Sequence, residues 1–147
     1  MLVKEWNELP DYMQVEEVRP YYEILRKKKG QLVLKRIFDI CVSLVLIVLL
    51  SPIIIFFSIW IKLDSKGPVF YRQERITQYG KVFRIFKFRT MVNNADKIGN
   101  LVTSKNDSRI TKVGEKIRKY RIDEIPQLFN VLIGDMSFVG TRPEVKK

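Results

Sequence analysis

The stretch Arg118-Lys-Tyr-Arg-Ile-Asp-Glu-Ile-Pro-Gln127 gathers the side chains with the greatest chemical capacity in this chain. Pro126 is tolerated in the first turn of a helix, and with Asp123 as N-cap it falls at the third helical position. That register sets the Asp123 carboxylate at the positive end of a helix dipole, beside free backbone N–H groups. Such an end also binds phosphate. Glu124 follows directly, and two adjacent carboxylates can hold Mg²⁺. Arg118 and Arg121 lie within about one turn. A nucleophilic carboxylate, a metal ligand and phosphate clamps can therefore converge here. On spacing alone the same residues also read as an ordinary cap and an ordinary first-turn acid, and both readings stand.

The rest of the composition narrows the chemistry. The 147 residues contain no histidine, which removes His-based acid–base catalysis, Ser-His-Asp and Cys-His pairs and every His-containing zinc site. Neither a Walker A loop nor G-x-G-x-x-G is present. The one cysteine, Cys41, excludes an internal disulfide framework. Catalysis would rest on carboxylates, Lys, Arg, hydroxyls and a hard metal. A net charge of +11 calls for an anionic partner: nucleic acid, anionic lipid or a phosphorylated substrate.

Several elements must position these groups. Residues 1–34 form a polar arm, helical or irregular, that ends at the basic cluster Arg26-Lys-Lys-Lys29 and Gly30. Ile40 to Ile61 run for 22 residues without a charge. As one helix they would span about 33 Å, enough for a hydrocarbon core of roughly 30 Å. Ser51 and Pro52 sit in the middle of this run. Pro52 removes the bond to the Val48 carbonyl, and Ser51 is expected to bond back near Ile47. Lys and Arg are abundant on both flanks, at Arg26–Arg36 and at Lys62–Arg89. The positive-inside rule draws both flanks to the cytoplasm, which a re-entrant helix satisfies and a straight crossing does not. A spanning helix with a proline kink is the plain alternative.

Lys62-Leu-Asp-Ser-Lys-Gly-Pro68 is a turn, and Val69–Ile76 with Val82–Arg89 reads as a β-hairpin. Its alternating aromatic and basic residues suit lipid headgroups or single-stranded nucleic acid. The adjacent apolar run favours the lipid reading. A short helix is expected near Ala95, a basic amphipathic helix over Ile110–Arg121 and another from about Glu124 to Leu132. The resulting fold class is α+β and mostly helical.

Lys35-Arg-Ile-Phe-Asp-Ile40, Lys87-Phe-Arg-Thr-Met91 and the long stretch Ser108–Val145 resemble the bacterial sugar transferases, the small monotopic polyprenyl-phosphate phosphoglycosyl transferases. The resemblance implies transfer of a sugar-1-phosphate from a UDP-sugar to undecaprenyl phosphate on the cytoplasmic face of the inner membrane. This step would initiate an exopolysaccharide, capsule, O-antigen or glycoprotein glycan. It also implies that Asp123 attacks the β-phosphate and releases UMP, and that Asp123 and Glu124 hold Mg²⁺. Lys87, Arg118 and Arg142 match positions used near phosphates. Ser51-Pro52 matches the break of a re-entrant membrane helix. The implied layout is an arm at 1–34, the membrane helix at 35–63 and a cytosolic catalytic domain at 64–147.

Two departures stand out. Arg121 occupies a position where relatives often carry Ser or Thr. Relatives also continue tens of residues beyond Arg142-Pro-Glu-Val145, so this chain is expected to be a C-terminally truncated member. A non-catalytic basic membrane-binding module is the alternative function, and a nucleic-acid binder is disfavoured.

Overall fold

In this computed structural model, residues 3–95, 107–141 and 143–145 are described. Helix α1 spans Arg19–Lys27, with Pro20 in its first turn and Arg26 and Lys27 in its last, where cations suit the dipole. Helix α2 then runs from Lys29 to Asp64. Helix α1 ends within the basic cluster, with Lys28 as its C-cap, and Lys29 at once opens the long helix, so the arm of 1–34 and the long helix share residues 29–34. Lys, Leu, Gln and Arg are strong helix formers, and one Gly among them does not break the run. A short helix is expected near Ala95, and residues 96–106 there lie outside the described residues.

Pro52 lies inside α2, which continues on both sides of it. The Ser51 hydroxyl donates to the Val48 carbonyl at 2.8 Å, not to Ile47. Val48 carries the carbonyl that Pro52 leaves without a backbone donor, so the hydroxyl fills the vacancy its neighbour creates. Ser43 and Ser58 donate likewise to the carbonyls of Ile40 and Ile54. The hydroxyls of the apolar helix are thus turned onto its own backbone, as a bilayer requires. The helix is long and apolar enough to cross a membrane, and Leu44, Val48, Leu49, Ile55 and Phe56 lie exposed on its surface.

Strands β1 (Phe70–Ile76) and β2 (Val82–Phe88) pair antiparallel, with Phe70 opposite Phe88 and Ile76 opposite Val82. Tyr79 and Gly80 at the tip both take left-handed backbone. The short β3 (Glu144–Val145) adds to the other edge of β1, so the order is β2-β1-β3 and the hairpin becomes a three-stranded sheet.

Helix α3 spans Lys112–Lys119, shorter than the expected Ile110–Arg121. Ile110 bridges to Met91, and Thr111 caps the helix by accepting from the Gly114 N–H at 3.0 Å. Helix α4 spans Gln127–Ile133 and ends at Gly134, whose φ of 104° is the left-handed stop common at helix ends.

The core joins these parts. Ile61, Phe88, Val113 and Ile117 are buried together, with Phe57, Trp60, Phe70 and Ile122 packed against them. Each such side chain is worth about 1.5–3 kcal/mol when fully buried. The last turns of α2 are therefore part of the core. The first turns of α2 also touch the C-terminal half of the chain. Arg36 donates to the carbonyls of Val131 (2.6 Å) and Leu132 (2.8 Å), closing the end of α4. Buried Asp39 accepts from the Phe138 N–H at 3.3 Å. The arm is tied down as well: Trp6 packs edge-on against Tyr22, whose hydroxyl donates to the Lys4 carbonyl.

Candidate active site

Asp123 and Glu124 do not cap a helix. They lie in a 3-10 turn, Ile122–Glu124, while Pro126 takes the N-cap of α4 three residues later. The turn closes through Glu124 N–H to the Arg121 carbonyl (3.3 Å) and Ile125 N–H to the Ile122 carbonyl (3.1 Å). Pro126 has no N–H to give, so the α-helix proper starts after it and the two acids remain in the tighter turn. Arg121 leads into this turn with φ 58° and ψ 21°, a left-handed conformation uncommon outside Gly, Asn and Asp.

Three elements aim cations here. Lys87, from β2, donates its Nζ to Glu124 Oε1 at 3.2 Å, and both side chains are largely buried. Arg118 comes from the last turn of α3. Arg121 Nη1 lies 3.7 Å from the same Glu124 oxygen, outside the cleft. Lys87, Arg109, Arg118 and Asp123 line one cleft of about 280 Å³, together with Asn93 and with Tyr71, the cross-strand partner of Lys87. Burial pushes the Asp123 carboxyl above its ordinary range, and the neighbouring Glu124 charge adds to this. Lys87 and Arg118 pull the other way without cancelling it.

The structure thus brings Lys87, Arg118, Asp123 and Glu124 together. Arg142 lies outside the described residues. Ser51 and Pro52 sit in α2 and do not line the cleft. Among the described residues no group of three or more metal-ligating side chains occurs. The Asp123-Glu124 pair still suits Mg²⁺, which takes one or two carboxylates and completes its shell with water and substrate phosphates.

Some supporting residues were not singled out from the sequence. Asp107 and Arg109 form an ion pair at 2.6 Å, and Arg109 also donates to the Ala95 carbonyl at 3.1 Å. That pairing, with its hydrogen bonds, holds the Asp107 carboxyl down to about 2. Arg89 is buried and donates to the Ser65 carbonyl (2.6 Å) and hydroxyl (2.9 Å), closing the end of α2. Asn130 has no exposed surface; it accepts from the Phe86 N–H and donates to the Arg84 carbonyl. The available signal was an Asn or Arg set among apolar residues, where a buried polar group needs partners.

Residues 30–147 match the family model described as bacterial sugar transferase. A Bacillus subtilis protein, provisionally named an undecaprenyl-phosphate N-acetylgalactosaminyl 1-phosphate transferase, is 45% identical over 84% of this chain and 69% of its own length. An Aeromonas hydrophila UDP-N-acetylgalactosamine-undecaprenyl-phosphate N-acetylgalactosaminephosphotransferase is 47% identical over 76% of the chain. A Klebsiella pneumoniae UDP-glucose:undecaprenyl-phosphate glucose-1-phosphate transferase is 46% identical over 76%. The chain spans only 26% and 24% of the length of these last two. With the family model matched over most of its length, the chain belongs to the bacterial sugar transferase family of phosphoglycosyl transferases.

Proposed function

We propose that this protein transfers a sugar-1-phosphate from a UDP-sugar to undecaprenyl phosphate and so initiates a surface glycan. The observation that carries this reading is the half-buried Asp123 carboxylate in a cleft it shares with Lys87 and Arg118. The similar proteins named above act on undecaprenyl phosphate, and two of them use UDP-sugars by name.

The chemistry runs in two displacements. An Asp123 carboxylate oxygen attacks the β-phosphorus of the donor. The bond from that phosphorus to the bridging oxygen breaks, and UMP leaves with the electron pair. An oxygen of the lipid phosphate then attacks the phosphorus of the aspartyl phospho-sugar, and the Asp123 carboxylate is restored. Each attack brings an anion onto a phosphorus already bearing negative oxygens, so positioned cations supply most of the catalysis. Lys87 and Arg118 fill that role in the cleft, and Arg142 is assigned to the same work. Asp123 and Glu124 would hold Mg²⁺, which when bound neutralises charge on the diphosphate. Splitting the transfer through a covalent intermediate means that donor and acceptor need not be bound together.

The membrane reading follows the contacts of α2. Arg36 and Asp39 at its start, and Ile61 at its end, are all held by the same small domain. A helix that dips into the bilayer and returns would leave both of these ends on the side where that domain sits. We therefore assign a re-entrant helix with its bend at Ser51-Pro52, and a catalytic domain on the cytoplasmic face of the inner membrane.

The test is UMP release from a panel of UDP-sugars with Mg²⁺, with and without undecaprenyl phosphate. The full chain should release about one UMP per molecule without acceptor and turn over when acceptor is added. Asp123→Asn should do neither. Lipid-linked sugar made by Asp123→Asn at the normal rate would show that the nucleophile lies elsewhere.

A further inference from the structure

Two cations pair with the same Glu124 oxygen, and they are held differently. Lys87 sits inside the cleft, 17% exposed, within hydrogen-bond distance at 3.2 Å. Arg121 sits outside, 75% exposed, at 3.7 Å. The second separation is too long for a hydrogen bond, so that pairing is a solvated charge contact that another anion can exchange for. Arg121 nonetheless keeps a left-handed backbone that few side chains adopt, in the residue that leads into the Asp123-Glu124 turn.

A strip of similar residues leads from the end of the apolar helix to this position. Trp60 lies next to the close of the apolar run, where Trp is favoured at headgroup level. Lys116 Nζ lies 5.3 Å from the centre of the Trp60 ring. Lys116, Lys119 and Tyr120 are spaced i, i+3 and i+4, which puts them on one exposed face at the end of α3. Lys119 Nζ stands over the Tyr120 ring, and Arg121 follows in sequence. This basic and aromatic strip runs from the end of α2 to Arg121.

We infer that Arg121 receives the phosphate of the lipid acceptor outside the cleft, delivered along the Lys116–Lys119–Tyr120 face. The inference rests on the two-displacement reading above. A guanidinium fork matches a phosphate monoester better than it matches a distant carboxylate oxygen, and the binding is charge-assisted. Donor phosphates meet the cations inside the cleft. The acceptor phosphate meets Arg121 at the rim and moves inward once UMP has gone. Arg121 is thus a determinant of acceptor binding alone.

The two displacements can be measured separately. In lipid nanodiscs, Arg121→Ala should lower acceptor-dependent turnover far more than the acceptor-free UMP burst. Its KM for undecaprenyl phosphate should rise at least roughly tenfold, the scale of one lost charge-assisted hydrogen bond. Arg121→Lys should recover most of the loss. Arg121→Gly, which suits the left-handed backbone, should behave like Arg121→Ala. A burst slowed as much as turnover in Arg121→Ala would overturn the inference, because Arg121 would then act by orienting Glu124. An unchanged acceptor KM would overturn it too. No acceptor-free burst in the unsubstituted chain would instead remove the covalent reading on which it stands.

Discussion

Replacing Asn130 with Leu separates shape from hydrogen bonding at the seam between sheet and helix. In the order β2-β1-β3, β2 has one open edge. The Asn130 amide closes it by accepting from the Phe86 N–H at 2.8 Å and donating to the Arg84 carbonyl at 3.0 Å, as a neighbouring strand would. The same amide nitrogen donates to Asp135 at 3.3 Å. Leu fills nearly the same volume and can make none of these bonds. The Phe86 N–H and Arg84 carbonyl then lose their partner beside a fully buried side chain. At about 1–3 kcal/mol per unsatisfied buried group, the loss is roughly 2–6 kcal/mol. For a chain of this size that corresponds to an apparent Tm lower by about 6–18 °C. Far-UV circular dichroism in mild detergent, at one scan rate, reads the shift. Lys87 follows Phe86 in β2, so the acceptor-free UMP burst should fall in parallel. A Tm within about 2 °C of the unsubstituted chain would refute the reasoning, because one broken hydrogen bond alone exceeds that shift.

Two further outcomes follow from the geometry. Gly114→Ala would ordinarily stabilise a helix, but here the added methyl overlaps the Thr90 carbonyl, which also accepts from the Thr111 N–H. The apparent Tm should fall by about 3–10 °C, the scale of an overpacked contact, and a rise would show that α3 can move away freely. The UMP burst should also be lost on acidification. In the proposed mechanism Asp123 attacks as a carboxylate, and its raised pKa means it protonates as pH falls at a higher pH than the ordinary value of about 3.9. Lys87→Met removes a charge that lowers this pKa, so the limb should shift to still higher pH. A burst rate that stayed level down to pH 4 would contradict the burial of Asp123.

What was legible in the sequence was what local pattern dictates. The 22-residue uncharged run became part of one helix, and the aromatic and β-branched stretches became a hairpin within a residue of the expected bounds. Motifs pointed to Lys87, Arg118, Asp123 and Glu124 as a group, and the fold sets them around one turn and one cleft. The misses have physical reasons. Asp123 reads as an N-cap because capping rules weigh one helix at a time, and Pro126 splits this segment into a 3-10 turn and a helix. Ser51 chose the Val48 carbonyl because its own neighbour had emptied it. The contacts of Arg36 with Val131 and of Asp39 with Phe138 join residues nearly a hundred positions apart, where no local pattern reaches.

The burial of Ile61 against Phe88, Val113 and Ile117 also bears on how the chain is made. The apolar helix leaves the ribosome before any of the three partners that its last turn needs. Until the hairpin and α3 emerge, Phe57, Trp60 and Ile61 have none of these core partners. On the membrane reading proposed above, targeting to the bilayer precedes completion of the core, and insertion is an early step of folding. A catalytic fragment starting at the hairpin would reach the cytosol with the Phe88–Ile117 surface bare, a substrate for chaperones and proteases.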